Sequence, residues 1–358
     1  KSFFRTHESC LAVSSWVLKK PNRQMNKNFK KAKLHNFYEQ NSNLSLVKSL
    51  ISETTGFWYN NKHPILSDTE AKFINSKIIE SCPHCGSSQI VKNGKRKDGI
   101  QRYFCNDCKS YFTPMTNTVF DARKIPVSEW IEFLINIIQF HSTKSSTELN
   151  QNAITTGFYR LEKTFLVLKN CQKDIILGGN VYIDETFISL NKNKKKKPRE
   201  KYLRGISRNK NCVAVATNKK EIIFIDAKCS KLSFKACRNA YKSHIKEGST
   251  LIGDAEKSHN ILCKELNLSS VTIASEVLKD EDDTTNPLRT INKLHYFLKL
   301  FLSAHKNFYK SELQDRLNLA RFVLTPSMDM PMKLEWFLTR ALNSPNLLRF
   351  RRFYEKKR

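Results

Sequence analysis

The sequence predicts an α/β chain in three parts: a small metal-braced ribbon, a helical segment, and a larger core in which strands and helices alternate. Three observations carry this. Two C-x-x-C knuckles, Cys82-Pro-His-Cys85 and Cys105-Asn-Asp-Cys108, flank residues 86–104. Short apolar runs rich in β-branched residues alternate with helical patterns from Gly178 onward. Hydrophobic residues make up 40% of 358, enough for a sizeable core and for two or three domains.

The knuckles come first. A tetrahedral metal takes four soft ligands, and two short knuckles on separate turns supply them. Gly86 follows the first knuckle, where a tight turn aims backbone amides at sulfur. Ile90-Val91 and Arg102-Tyr103-Phe104 suit short strands between the knuckles. The pattern predicts a zinc ribbon with one structural Zn²⁺ on Cys82, Cys85, Cys105 and Cys108; a redox pair or disulfides are the competing readings. The remaining cysteines (Cys10, Cys171, Cys212, Cys229, Cys237, Cys263) are scattered, as reduced core thiols of an intracellular protein would be.

The net charge is +29, from 62 Lys+Arg against 33 Asp+Glu. That favours nucleic acid or another anionic partner, although a Lys-, Asn-, Ile- and Phe-rich compositional bias produces a similar excess. There is no run of about 18 apolar residues, so no membrane span is expected. Residues 1–20 lack an apolar signal core, and the chain opens on Lys1 rather than Met, as a fragment or conceptual translation does.

Residues 1–66 are polar and basic and are expected to be weakly ordered. Ser67-Asp-Thr-Glu70 reads as a capping box opening a helix over about 68–80, ahead of the ribbon; together these fill 67–120. Over 121–172 the pattern is helical. An apolar helix runs from Trp130 to Phe140. A short helix near 145–149, a turn, and a helix from Thr156 to Leu168 follow, and the last carries Tyr159, Arg160 and Lys163. Helix, turn, helix puts a basic helix into a major groove; a plain αα-hairpin fits the pattern equally well.

The core is expected over 173–345, with a basic tail at 346–358. Strands are predicted at Asn180–Ile188, Cys212–Thr217, Glu221–Ile225, Ser249–Asp254 and Val271–Ile273, with Asn218-Lys-Lys220 turning a hairpin. Helices are predicted at Ser233–Lys246, Ser258–Leu266 and Arg289–Leu302. Strand, strand, strand, helix, strand, helix, strand, helix is the order of an RNase H-like core.

Asp184 sits inside one apolar strand and Asp254 ends another. An ionised carboxylate there is costly unless paired or metal-bound. Two on adjacent strands suit Mg²⁺ or Mn²⁺, and a pair of such ions serves phosphodiester chemistry; turn-capping or a Lys partner is the competing reading. On the last helix Asn292, His295 and Lys299 fall on one face. Leu294, Phe297, Leu298 and Phe301 are expected to pack on the sheet.

Taken together, these blocks resemble DDE-type insertion-sequence transposases that carry a zinc ribbon, with the eukaryotic Merlin transposases as relatives. The resemblance covers about 67–345. It rests on the ribbon with Tyr103-Phe-Cys105 and Tyr111-Phe-Thr113, and on Tyr182-Ile-Asp-Glu-Thr-Phe187, Arg204-Gly-Ile-Ser-Arg208, Leu251-Ile-Gly-Asp254, Asn286 to His295 and Leu313 to Leu319. It implies that Asp184 and Asp254 hold two catalytic Mg²⁺ or Mn²⁺ ions, with His295 or Asn292 completing the site and Lys299 on a phosphate. His295 stands where many relatives have a Glu, which leaves a decayed or domesticated DNA-binding copy as the alternative to an active one. The implied partners are double-stranded DNA, both terminal inverted repeats and target, and further copies of the chain in a homodimer or larger synaptic assembly. The implied location is the nucleus in a eukaryote and the cytoplasm or nucleoid in a bacterium. Expected DNA contacts are Lys95, Arg96 and Arg102 in the ribbon, Tyr159, Arg160 and Lys163 on the helix, and Lys194, Lys195, Lys196 and Lys197 in a loop. That last run also reads as a nuclear-localisation signal or as a solvated loop.

Overall fold

The computed structural model describes residues 50, 68–121, 126–150, 152–189, 210–254, 256–273, 286–305, 308–344 and 348. Residues 1–49, Lys194 to Lys197 and Arg204 to Arg208 lie outside the described residues. The chain divides into two compact units, 1–167 with 330–358, and 168–329.

The first unit opens with α1 (Asp68–Asn75). This helix stops earlier than the expected 80 because Asn75 turns its side chain onto the ribbon, donating to Gly99 O at 3.0 Å and accepting from Gln101 N at 2.8 Å. Glu70, expected in a capping box, is buried and accepts from Val127 N at 2.8 Å instead. The ribbon is a three-stranded antiparallel sheet of β1 (Ile90–Lys95), β2 (Gln101–Cys105) and β3 (Tyr111–Phe112). Tyr103 stacks on Phe112 across the β2–β3 pair, giving so small a sheet a packed face.

Next come α2 (Val127–Ile138), α3 (Thr143–Leu149) and α4 (Ile154–Leu168). Almost every residue of α2 is buried, as a helix apolar on all sides must be. Ser142 caps α3 by accepting from Ser145 N. Where α3 meets α4, a Cβ on Gly157 would come 1.9 Å from Thr147 Oγ1, so only glycine permits this approach. The last helix, α9 (Met330–Asn343), also belongs to this unit, with Phe337 stacked on Trp130. The sequence pattern assigns it to the 173–345 core. Its buried face, including Leu334, Phe337 and Leu338, serves the helical unit instead.

The second unit holds a five-stranded sheet. Its strands are β4 (Asn180–Ser189), β5 (Lys210–Thr217), β6 (Ile222–Asp226), β7 (Thr250–Gly253) and β8 (Ser269–Thr272), in the order β6-β5-β4-β7-β8. The first three are antiparallel neighbours, and β7 and β8 run parallel to β4. Helix α5 (Phe234–Tyr241) precedes β7. Helix α6 (Asn260–Glu265) precedes β8, and α7 (Arg289–Ala304) and α8 (Leu313–Leu324) follow it. This is the RNase H-like α/β arrangement that the element order predicted. Val181, Ile183, Cys212, Ala214 and Ala216 pack on Cys237, Ala240 and Tyr241 of α5. The β6 edge is closed by side chains. Gln172 both donates to and accepts from Phe224, and Gln314 accepts from Asp226 N.

Candidate active site and metal centre

The four knuckle sulfurs converge. Cys82 Sγ lies 3.7 Å from Cys108 Sγ and Cys85 Sγ 3.6 Å from Cys105 Sγ, with all four within 4.8 Å of one another. Zn–S bonds of about 2.3 Å at tetrahedral angles put sulfurs about 3.8 Å apart, so the donor set fits zinc. The knuckles are built alike. Gly86 N donates to Cys82 O and His84 N reaches Cys82 Sγ at 3.4 Å. The residue after each second cysteine is left-handed: Gly86 at φ 79° and Lys109 at φ 54°.

Around this cluster the predicted ribbon cations Lys95, Arg96 and Arg102 are exposed. Arg96 pairs with Asp98 at 3.1 Å. Arg102 is held by Asn93 and lies over the exposed ring of Tyr111, 5.6 Å from its centre.

The helical cations behave otherwise, and two expectations fail here. Arg160 is buried and pairs with buried Glu129 at 2.5 Å, over the ring of Phe133. Lys163 is buried and donates to Val119 O; burial pushes its amine down to about 8. Neither can contact DNA. The pattern misled because long basic side chains also serve as internal ties when a carboxylate or carbonyl awaits them. Tyr159 is half-buried and donates to Leu348 O at 2.5 Å. The exposed side of α4 carries Ile154, Thr155 and Phe158.

In the second unit the strand register places the carboxylates. β4 and β7 run parallel with Tyr182 opposite Ile252, so Asp184 and Asp254, each two residues further on, reach the same level. Gly253 makes this possible: a Cβ there would meet Ile183 O at 2.9 Å. Asp184 is mostly buried. Its Oδ1 accepts from Glu185 N at 2.7 Å. Burial pushes its carboxyl up to about 7; that amide pulls the other way, and the charges of Glu185 and Asp254 add to the rise. Asp254 is exposed and accepts from Glu256 N at 3.2 Å.

His295 of α7 faces Asp184, Nδ1 to Oδ2 at 3.6 Å. Burial first, and the charge of Lys299 second, push it down to about 4, so its imidazole is neutral. Its Nε2 is buried without a partner. The packed face of α7 is Ile291, His295, Leu298, Phe301 and Leu302. Leu294 and Phe297, expected at the sheet, are only half-buried, whereas Asn292 and Lys299 are exposed. The structure thus brings His295 to Asp184 and leaves Asn292 on the open side. Among the described residues, Asp184, Asp254 and His295 do not gather within 4.8 Å as the cysteines do.

Sequence reading passed over the other face of β4. Strand alternation turns Glu185 away from Asp184 and into the α5 side. There its Oε1 accepts from Tyr241 OH at 2.8 Å and lies 3.0 Å from His259 Nε2. Burial works against charge on His259, but the hydrogen bond and charge of Glu185 outweigh it and hold the imidazole above its usual range. The available signal was a second acid directly after Asp184 in an apolar strand.

Comparison with known proteins bears on both centres. Residues 78–109, with all four cysteines, match the family described as InsA N-terminal domain. Residues 176–318, with Asp184, Asp254 and His295, match the ISXO2-like transposase domain. An uncharacterized protein in transposable element ISH50 of Halobacterium salinarum is 24% identical over 126 residues, 35% of this chain and 42% of its own length, so the chain spans less than half of that relative. Two solved structures are similar at a low level. The Mos1 strand transfer complex has 10% identity and a TM-score of 0.24, over 62% of this chain and 78% of that one. The Mos1 transposase paired-end complex with left transposon end has 12% identity and a TM-score of 0.25, over 60% and 74%. Likenesses of that size carry nothing over to this chain. Among the described residues no helix is long and apolar enough to cross a membrane. The two family matches coincide with the cysteine cluster and with the sheet that carries the aspartates: a stretch similar to the InsA N-terminal domain precedes one similar to the ISXO2-like transposase domain.

Proposed function

We propose that the chain is a transposase that binds transposon-end DNA and catalyses metal-dependent strand cleavage and strand transfer. The observation that supports this is the parallel register of β4 on β7, with Tyr182 opposite Ile252, which carries Asp184 and Asp254, each two residues on, toward one level within the span matching a transposase domain. Asp184 is desolvated, and the neutral imidazole of His295 beside it does not repay the burial of its carboxylate. Two carboxylates and one imidazole suit Mn²⁺, and with waters Mg²⁺. Asp184 and Asp254 would hold the ions, and His295 would be the third group. A divalent cation there supplies Lewis-acid stabilisation of the phosphodiester and a more acidic attacking water or 3′-hydroxyl. Asp184, its carboxyl raised to about 7 by burial, would hold a cation as the carboxylate, so binding would strengthen as pH rises through that value. Lys299, exposed on α7, serves as a phosphate contact.

End recognition falls to the ribbon, held by one Zn²⁺, where exposed Lys95, Arg96 and Arg102 meet phosphate. Affinity should fall steeply with salt. Two ends brought together require a homodimer or larger assembly, working in the nucleus of a eukaryotic host or at a bacterial nucleoid. The experiment is strand transfer on end-containing DNA with Mg²⁺ or Mn²⁺. Asp184→Ala and Asp254→Ala should each abolish it, and activity surviving either change refutes the assignment.

One observation favours a second reading, a decayed or domesticated copy that only binds DNA: His295 stands at the third position, and the three groups do not close up as the cysteines do. Activity that appears only in His295→Glu supports decay.

A further inference from the structure

Glu185 is buried on the face of β4 opposite Asp184, a costly place for a carboxylate. Packing does not call for it, since its face is lined by Cys212, Cys237 and Ala214, where a hydrocarbon would serve. Its partners run in one direction. Tyr241, fully buried on α5, donates to Glu185 Oε1 at 2.8 Å and accepts from Val215 N at 3.2 Å. His259, on the turn Lys257–His259 after β7, sets Nε2 3.0 Å from the same Oε1, with its ring edge-on to Tyr241. The other ring nitrogen, Nδ1, lies 4.0 Å from Asp254 Oδ1 and 3.9 Å from where a Cβ on Gly253 would stand. An imidazole fixed at one nitrogen by a buried carboxylate presents the other in a set direction, as outer-shell carboxylate–histidine pairs do.

We infer that Glu185 and His259, braced by Tyr241, form a positioning relay that holds the carboxylate of Asp254 in place for a divalent cation. The inference rests on the proposed role of Asp254 as a cation ligand. Asp254 follows the last residue of its strand, is exposed, and accepts from Glu256 N; His259 Nδ1, 4.0 Å from its Oδ1, is the second group set against it.

The test is Mn²⁺ affinity of the full-length, zinc-loaded protein, read by electron paramagnetic resonance and so independent of turnover. Asn places its amide nitrogen near Nδ1 of the histidine it replaces, and Gln near Nε2. His259→Gln keeps the Glu185 side and loses the Asp254 side, and should weaken Mn²⁺ at least tenfold. His259→Asn keeps a donor on the Asp254 side but lacks the Glu185 brace, and should fall between wild type and His259→Gln, about threefold weaker than wild type. Should His259→Gln fail to fold, Tyr241→Phe, which loosens Glu185 by one hydroxyl, should weaken Mn²⁺ in the same sense. Equal affinities in the Gln and Asn variants, or a lowered melting temperature with unchanged Mn²⁺ affinity, overturn the relay. If Asp254→Ala binds Mn²⁺ as wild type does, the cation reading itself falls, and the relay with it.

Discussion

Replacing Asp184 with asparagine tests the desolvated carboxylate at the centre of the second unit. The change keeps the shape and the acceptor for Glu185 N, and removes only the ionisation. The carboxyl sits at about 7 in the fold against 3.8 in the open chain. At 1.36 kcal/mol per unit, that gap of about 3 units is worth about 4 kcal/mol. The sign follows from proton counting. Between the two values the folded chain holds a proton that the unfolded chain has released, so stability present below 3.8 is lost as pH rises through about 7. The Asp184→Asn protein escapes that loss. Without added divalent cation, the variant should exceed wild type by somewhat under 2 kcal/mol at pH 5 and by about 4 kcal/mol at pH 8.5. Urea unfolding read by far-UV circular dichroism suits the measurement, because Trp16, Trp58, Trp130 and Trp336 all lie outside 168–329. An advantage that is equal at both pH values, or that shrinks on raising pH, refutes the argument.

Elsewhere the expectations are these. Cys82→Ser should lose the roughly one zinc per chain found by metal analysis of the wild type and open the ribbon, while thiol labelling of Cys212 and Cys237 stays slow because their unit remains folded. Gly157→Ala should cost about 1–3 kcal/mol from overlap with Thr147, outweighing the roughly 1 kcal/mol of helix propensity gained, and Thr147→Ala should recover most of the loss in thermal melts. Glu129→Ala should cost about 3–5 kcal/mol by stranding Arg160 without its carboxylate, whereas the double change Glu129→Leu with Arg160→Met should recover most of it. Arg102→Ala should lower the salt slope of DNA binding by about 1, and Lys163→Met should leave that slope alone while lowering stability.

The parts of the fold legible in the sequence were those whose physics is local. C-x-x-C spacing fixes four sulfurs whatever surrounds them. The run at 212–217 is apolar on both faces, and that at 180–188 is apolar on both faces but for Asp184 and Glu185, so both read directly as central strands. The face of α7 was harder. Its Leu294 and Phe297 suggested one packed stripe, but the sheet takes Ile291, His295 and Leu298, because a neutral histidine can be buried beside a protonated carboxyl at little cost. Arg160 and Lys163 could not be told from DNA contacts, since the partners that bury them, Glu129 and Val119, are distant in sequence. Glu185 escaped notice for the same reason: His259 and Tyr241 reach it only through the fold.

The return of α9 to the first unit bears on how the protein is made. Trp130 waits for Phe337, and Val167 O for the Arg340 side chain, which the ribosome delivers only after every strand of the sheet. The sheet unit is therefore an insertion whose segment is complete before its host can close. A chain truncated ahead of Met330 would retain all of the proposed chemistry and lose the helical floor of the other unit.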